Sequence, residues 1–247
     1  MSAQQLRHLV FQNLKTGAGD GQDIDKFDKY CDHLLVFDES NSEIQLIGTY
    51  RLLTSAMAIH AGGFYSESEF NIEPLLARHP SLRFLELGRS CVHPDFRSKR
   101  SIEILWHGIW QYIRHHDIDV LFGCASFPGA DAGMHLNTMA RLYQHSPATG
   151  PWRVRAVNGR GVRLARDGDT PEGADLRSLP PLIKGYLRLG ALVGEEAVVD
   201  RNLNTTDLMM VLPVADISTR YIAHYGANAE RFKSQQTAPV PTVVYSN

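Results

Sequence analysis

The apolar positions Ile102, Leu105, Trp106, Ile109, Trp110 and Ile113 recur at three- and four-residue steps, the spacing that lines one face of a helix. Ser98 or Ser101, just ahead of them, is suited to cap its start. A helix with one apolar face needs a sheet or another helix to cover it. The next stretch, DVLFGCASF (Asp119 to Phe127), is apolar at nearly every position, as expected of a central strand buried on both faces. Upstream, RFLELGRSCV reads as another strand, and HLLVFD (His33 to Asp38) with EIQLIGTYRLLT (Glu43 to Thr54) as a hairpin joined by ESNS. A short helix in FNIEPLLARHP closed by Pro80, helices over Met134 to Tyr143 and near Leu182 to Leu189, and strands WRVRAV and DLMMVLP (Asp207 to Pro213) complete the pattern. This order predicts an α/β (α+β) fold, a mixed sheet with helices on its faces.

With 247 residues the chain is long enough to bury a full core. No linker or repeat divides it, so one domain is expected over residues 23–230. Residues 1–22, ending in the polar and glycine-rich KTGAGDGQDID, read as a flexible lead-in, and 231–247, rich in Gln, Thr and Pro, as a loose tail. The start MSAQQLRHLVFQNL has no apolar h-region, and no apolar run approaches the roughly 20 residues of a membrane span, so a cytosolic protein is expected. Cys31, Cys91 and Cys124 stand at unrelated spacings, and the histidines, including His115 and His116, show no ligand spacing. Neither a disulfide framework nor a metal site is expected.

The net charge of -2 hides an asymmetry. Asp20 to Glu43 is mostly acidic, whereas Arg141, Arg153, Arg155, Arg160, Arg163 and Arg166 have no carboxylate among them. That run suggests either a positive surface for an anionic partner or a solvated face. No nucleic-acid motif accompanies it, so nucleic acid is not the expected partner.

Chemistry concentrates in LELGRSCVHPDFRSKRS. In a regular strand Phe84, Glu86, Gly88 and Ser90 share one face, and Leu85, Leu87, Arg89 and Cys91 the other. Gly88 in mid-strand predicts a bulge that would let Glu86 and Arg89 open toward one cleft. A carboxylate there could take a proton from an attacking amine. The plainer reading is a structural Glu86–Arg89 ion pair at the sheet rim. Val92 to Ser101, joining strand to helix, is where unpaired N–H groups of a helix start hold an anion.

Strand, bulge, cationic turn and helix together resemble the core of GNAT-type N-acyltransferases, whose loop of form R/Q-x-x-G-x-G/A opens the helix and binds coenzyme A. Here the loop reads Arg97, Ser98, Lys99, Arg100, Ser101, Ile102, without either glycine. Glycine lets backbone N–H groups approach a diphosphate closely. Its absence argues against coenzyme A, and Arg97, Lys99 and Arg100 suit a donor with one phosphodiester on an acidic carrier, acyl carrier protein. Within that branch, LIGTYRLL, FYSESEF, LELGRSCVHPDFRS, LFGCASFPGAD, LPPLIKGYLRLGA and VDRNLNTTDLMMVLPV are similar to the L-ornithine N-alpha-acyltransferases, from about Asp25 to Gly226. The resemblance implies a GNAT-like, mostly antiparallel central sheet with helices on both faces. It also implies transfer of a long-chain 3-hydroxyacyl group from the phosphopantetheine of acyl carrier protein to the α-amine of L-ornithine, giving a lyso-ornithine lipid, with no tightly bound cofactor. Two other readings keep the fold. One has a different acceptor (glycine, glutamine, lysine, or S-adenosylmethionine as in acyl-homoserine-lactone synthases), and the other is a non-catalytic module that binds acyl groups or acyl carrier protein.

Amide formation requires a neutral amine, yet an α-amine with a reference pKa of about 8 is mostly protonated near neutrality. Glu86 is the first candidate base and His93 the second. Ser126 and the main chain of SFPGAD, at a strand's C-terminal end, would polarise the thioester carbonyl or merely make a turn. Arg89 or Arg51 would pair with the acceptor's carboxylate, while Asp131, Asp200 and Asp207 compete for its side-chain ammonium. Arg97, Lys99, Arg100 and Ser101 would hold the phosphopantetheine. Cys91 and Cys124 lie in apolar strands, where a thiol is an inert small hydrophobe, so no acyl-enzyme is expected. LPPLIKGYLRLGALVG reads as a helix over the acyl tunnel, or as a peripheral element turning Lys184 and Arg188 to anionic lipid at the inner face of the cytoplasmic membrane.

Overall fold

A computed structural model describes residues 1–12, 22–40, 42–164, 179–218 and 220–222, and the backbone of 243–246. Its frame is an eight-stranded sheet of β1 (Asp32–Asp38), β2 (Gln45–Thr54), β4 (Phe84–Val92), β5 (Val120–Pro128), β7 (Gly161–Arg163), β8 (Leu192–Asp200), β9 (Thr205–Pro213) and β10 (Val243–Ser246). They run in the order β10-β1-β2-β4-β5-β9-β8-β7. Every pairing is antiparallel except β4 with β5. Parallel neighbours need a crossover, which α4 (Lys99–His116) supplies. β3 (Phe70–Asn71) and β6 (Arg155–Ala156) form a separate pair.

The two apolar surfaces of this sheet attract helices to both sides. Leu105, Ile109 and Ile113 of α4 share a core with α5 (Leu136–His145), α6 (Pro181–Leu189) and the Leu85, Leu87 and Leu121 face of the sheet. The opposite face, carrying Phe84, Phe122 and Met209, is covered by α2 (Ser55–Ala61) and α3 (Glu73–Arg78). Ser98 caps α4 by accepting the Ser101 N–H at 3.1 Å, and Asp117 ends it in the left-handed conformation. Ile102, grouped by spacing with the core positions, is 38% exposed and lines a cavity instead. None of the described helices is long and apolar enough to cross a membrane.

Several expectations need correction. The first half of the supposed lead-in is α1 (Ala3–Phe11), held by a capping box between Ser2 and Gln5. It packs Leu6 against Leu46 and Cys91. Within the supposed tail, Val243–Ser246 pairs with β1 as an edge strand; the rest of that tail, Arg166 and the middle of the lead-in lie outside the described residues. WRVRAV shortens to the two residues of β6, because Trp152 belongs to the 3₁₀ turn Gly150–Trp152. Strand β8 was not anticipated.

Arg7 explains why α1 is tied down. Only 1% exposed, it pairs with Asp23 at 3.2 Å and with Asp28. Arg51 pairs with Asp25 at 2.7 Å and Asp28 at 3.5 Å, and Arg89 with Asp23 at 3.1 Å and Asp25 at 3.5 Å. Each arginine thus meets two aspartates and each aspartate two arginines, in a closed ring. Asp23, Asp25 and Asp28 of the acidic stretch are therefore turned inward, while Glu43 stays exposed. Removing one member of a buried ion pair costs about 3–5 kcal/mol, because the other charge is left uncompensated.

Candidate active site

β4 and β5 are in register only from Phe84–Glu86 against Val120–Phe122. Beyond that the strands part. A Cβ at Gly123 would lie 2.3 Å from the Leu87 carbonyl oxygen, so only glycine allows that approach. On its other side β4 bulges, with Arg89 and Ser90 opposing Tyr50 alone between the Gly88–Arg51 and Cys91–Thr49 pairs. The expected bulge is real but sits just after Gly88, where Arg89 takes a left-handed φ of 48°.

The gap between the parted strands is a cleft of about 180 Å³, and Glu86, Arg89, Cys124, Ser126, Thr205 and Asp207 are among its lining residues. Glu86 is 4% exposed, and its two oxygens accept the Tyr65 and Ser66 N–H groups at 2.8 Å each. Those donors come from the 3₁₀ turn Tyr65–Ser68. Burial raises the Glu86 pKa, with the Ser66 and Tyr65 hydrogen bonds opposing it. Glu86 is therefore a fixed carboxyl with raised proton affinity at the cleft wall. Arg89 does not pair with it; besides Asp23 and Asp25, Arg89 donates to the Tyr65 hydroxyl at 3.2 Å and lies over that ring.

The other candidates separate clearly. Ser126 and Asp207 are cross-strand partners in the cleft. Asp200 joins them through β8. Asp131, by contrast, is exposed and accepts the Gly133 N–H at 2.9 Å, capping the turn that follows it. Arg51 lies 2% exposed inside the ion-pair ring. His93 caps the next turn by accepting the Asp95 N–H at 3.3 Å and is not part of the cleft lining.

At the start of α4, Arg97, Lys99 and Arg100 are exposed, Lys99 making an i,i+4 pair with Glu103 at 3.5 Å. Ser101 is turned inward, donating its hydroxyl to the Phe96 carbonyl at 2.6 Å, so it braces the turn ahead of the helix that Ser98 caps. Arg97, Lys99 and Ile102 line a second cavity of about 500 Å³, which shares Tyr50, Ser90 and Leu182 with the Glu86 cleft. Leu182 of α6 belongs to the shared wall and Tyr186 to the Glu86 cleft, where it stands edge-on to Trp106.

The thiols do not suit nucleophilic catalysis. Burial pushes Cys91 up to about 12 and Cys124 well above its ordinary value. The arginine run is partly self-neutralised: Arg153 and Arg155 both pair with Glu195, and Arg160 donates to the Ser68 carbonyl.

One participant was missed from sequence. Glu69, 6% exposed, brings its carboxyl to those of Asp200 and Asp207, the three having oxygens within 4.8 Å of one another. Burial, then the charges of Asp207 and Asp200, push Glu69 up to about 7; burial pushes Asp207 up to about 6, with the Ser126 hydroxyl opposing. The signal that could have found it is the block FYSESEF, whose last carboxylate was given no role. Three carboxylates are also a donor set that hard cations accept.

Residues 6–107 match the family model described as the acetyltransferase (GNAT) domain. The L-ornithine N(alpha)-acyltransferase of Brucella abortus is 46% identical over 242 residues, covering 94% of this chain and 86% of that protein. Those of Rhizobium meliloti and Agrobacterium fabrum are 47% and 48% identical, covering 94% and 93% of this chain and 82% of each protein. Among solved structures, FeeM, an N-acyl amino acid synthase from uncultured soil microbes, aligns with a TM-score of 0.47 at 13% identity, over 86% of this chain and 83% of that one. The mixed sheet, the parted strands and the match to these relatives over nearly its whole length agree: the chain belongs to the L-ornithine N(alpha)-acyltransferase family and carries a GNAT domain.

Proposed function

We propose that this protein transfers a long-chain 3-hydroxyacyl group from acyl carrier protein to the α-amine of L-ornithine, forming a lyso-ornithine lipid. The observation that carries the reading is the position of Glu86, a fixed carboxyl between parted strands, in a cleft that shares a wall with the cavity at a cationic helix start. The phosphopantetheine phosphate would meet Arg97, Lys99 and Arg100 with the N–H groups of that helix start. Its arm would then run past Ser90 and Leu182 to the cleft. The α-ammonium gives one proton to Glu86, directly or through a water, and the neutral nitrogen attacks the thioester carbonyl. As the C–N bond forms and the C–S bond breaks, the nitrogen gives up its second proton, through water, to the departing pantetheine thiolate. Ser126 and the nearby main chain would hold the developing oxyanion. Arg89, which lines the cleft while Arg51 is enclosed, would take the acceptor's carboxylate. The one-chain amphiphilic product suits a cytoplasmic protein that touches the inner membrane face.

The test is to incubate the purified protein with 3-hydroxyacyl carrier protein and a mixture of amino acids, and to identify the amide by mass spectrometry. An N-α-acylornithine is expected. Acylation of only a different amino acid overturns the acceptor. No amide, with carrier protein still bound, overturns catalysis.

A further inference from the structure

We infer that Glu69, Asp200 and Asp207 form the subsite for the acceptor's side-chain ammonium, with Glu69 and Asp207 as its specificity-determining residues. The inference rests on the proposed transfer to ornithine and adds where its second amine goes.

Asp200 and Asp207 come from the β8–β9 hairpin and Glu69 from the end of the 3₁₀ turn; they are 8%, 4% and 6% exposed. Among the described residues no lysine or arginine forms an ion pair with any of them. One Asp200 oxygen is occupied, accepting the Asn202 and Leu203 N–H groups at 2.7 and 3.2 Å. Glu69 Oε2 accepts the Cys124 thiol at 3.6 Å. Asp207 Oδ1 and the hydroxyl of Thr205, 3% exposed and cross-strand from Asp200, are each left without a well-formed hydrogen bond, although the Thr205 and Ser126 hydroxyls face the Asp207 carboxyl. Thr205 and Asp207 both line the Glu86 cleft. Buried polar atoms without partners are uncommon and costly, and an ammonium brings three N–H donors and the missing positive charge.

Electrostatics supports the same ligand. Burial first, and then repulsion from the neighbouring carboxylate charges, raise the proton affinity of Glu69 and Asp207. A bound cation removes that repulsion. Position relates the subsite to the reaction: Glu69 directly follows the turn whose amides hold Glu86, and Cys124 of β5 lies between, its thiol sensing Glu69, Asp207 and Glu86 alike. An amino acid with its α-amine at Glu86 extends its side chain past Cys124 to Asp207, the member of the trio that lines the cleft, with Glu69 and Asp200 directly behind it. The cleft lining there includes apolar Leu203, which suits a methylene chain better than the hydration that Mg²⁺ retains.

Norvaline, which is ornithine without its δ-amino group, tests this directly. Wild-type protein should favour ornithine over norvaline in kcat/KM by about 100-fold or more, as sites built around a polar group reject analogues that lack it. Glu69→Gln and Asp207→Asn should lower kcat/KM for ornithine by about the same factor, mainly through KM, while norvaline changes only a few-fold. Equal use of both acceptors by the wild type overturns the subsite and leaves the transfer standing. A parallel loss on both acceptors in folded variants, checked by circular dichroism, assigns the residues a structural role and overturns it too. Should the variants not fold, calorimetric titration of the wild type with ornithine and with norvaline decides, since equal affinities overturn the subsite. So does Mn²⁺ binding with the stoichiometry of a resident metal that Asp207→Asn abolishes. Failure of the wild type to acylate ornithine under any condition refutes the proposed function, and the subsite with it.

Discussion

Glu86 is under two opposing influences. Burial resists its ionisation, and the two amides of the 3₁₀ turn favour it, the balance leaving the carboxyl readier than usual to accept a proton. Glu86→Gln should lower kcat by roughly 100- to 10,000-fold with KM for acyl carrier protein unchanged; steady-state kinetics that leave kcat intact remove the assignment. The same variant turns an NH₂ toward one of the two amides and should lose about 1–3 kcal/mol of stability. Glu69 and Asp207 carry a further residue-scale prediction. Both bind protons more tightly folded than unfolded, so their contribution is intact below the unfolded carboxylate range near 4 and is withdrawn as pH rises through about 6 to 7. Asp200, Cys124, Tyr65, Arg89 and Arg160 face the same carboxyls and modulate the window. Ligand-free Glu69→Gln should therefore be more stable than wild type at pH 8, on the order of 2 kcal/mol, and by much less at pH 4; thermal melts at the two pH values read this. Glu86 was legible because it stands in one short block with Arg89. Asp200 and Asp207 were legible as candidates in the short block DRNLNTTD, but Glu69 was not, since it lies far from them in sequence and only the sheet pairing and the 3₁₀ turn bring it to them.

Among the elements, α4 and β5 could be read from the sequence because each obeys a single rule: a 3.6-residue period above an apolar surface, and a run of apolar residues between two buried faces. β8 escaped because its register with β9 shifts between Val193 and Ala197, which spoils the two-residue alternation. Glu195 and Glu196 stand in that irregular stretch and each has a partner, Glu195 pairing with Arg153 and Arg155, Glu196 accepting the Ala156 N–H at 2.8 Å. α1 escaped for a different reason: its stability depends on Arg7 meeting aspartates outside the helix. The close approach of β5 to β4 at Leu87 depends on Gly123, and Gly123→Ala would drive a Cβ into the Leu87 carbonyl. We expect it to cost about 1–3 kcal/mol through forced backbone shifts and to lower turnover; an unchanged melting temperature would show that the strands can move apart freely. At the start of α4, Arg97→Glu with Arg100→Glu should raise KM for acyl carrier protein at least 10-fold, most strongly at low ionic strength, with kcat retained. Salt-independent kinetics identical to wild type would remove those residues from carrier binding.

For the molecule as a whole, the ion-pair ring couples three distant parts of the chain: helix α1 through Arg7, the central sheet through Arg51 and Arg89, and the segment of Asp23, Asp25 and Asp28. Arg7→Ala should destabilise the fold by about 3–5 kcal/mol and also weaken acceptor binding, because Asp23 is then shared with Arg89 alone; chemical denaturation together with KM for ornithine would measure both effects. A variant as stable and active as wild type would show that α1 is dispensable. The 3₁₀ turn at Tyr65–Ser68 has a different kind of consequence. It grips the base through peptide groups, which no side-chain replacement deletes, and presents Glu69 at its end as an ordinary, replaceable side chain. On the proposed roles of Glu86 and Glu69, proton transfer and acceptor choice are thereby uncoupled, so descendants of this scaffold can drift toward new amino acids by altering exchangeable side chains such as Glu69 while the reaction itself is inherited unchanged.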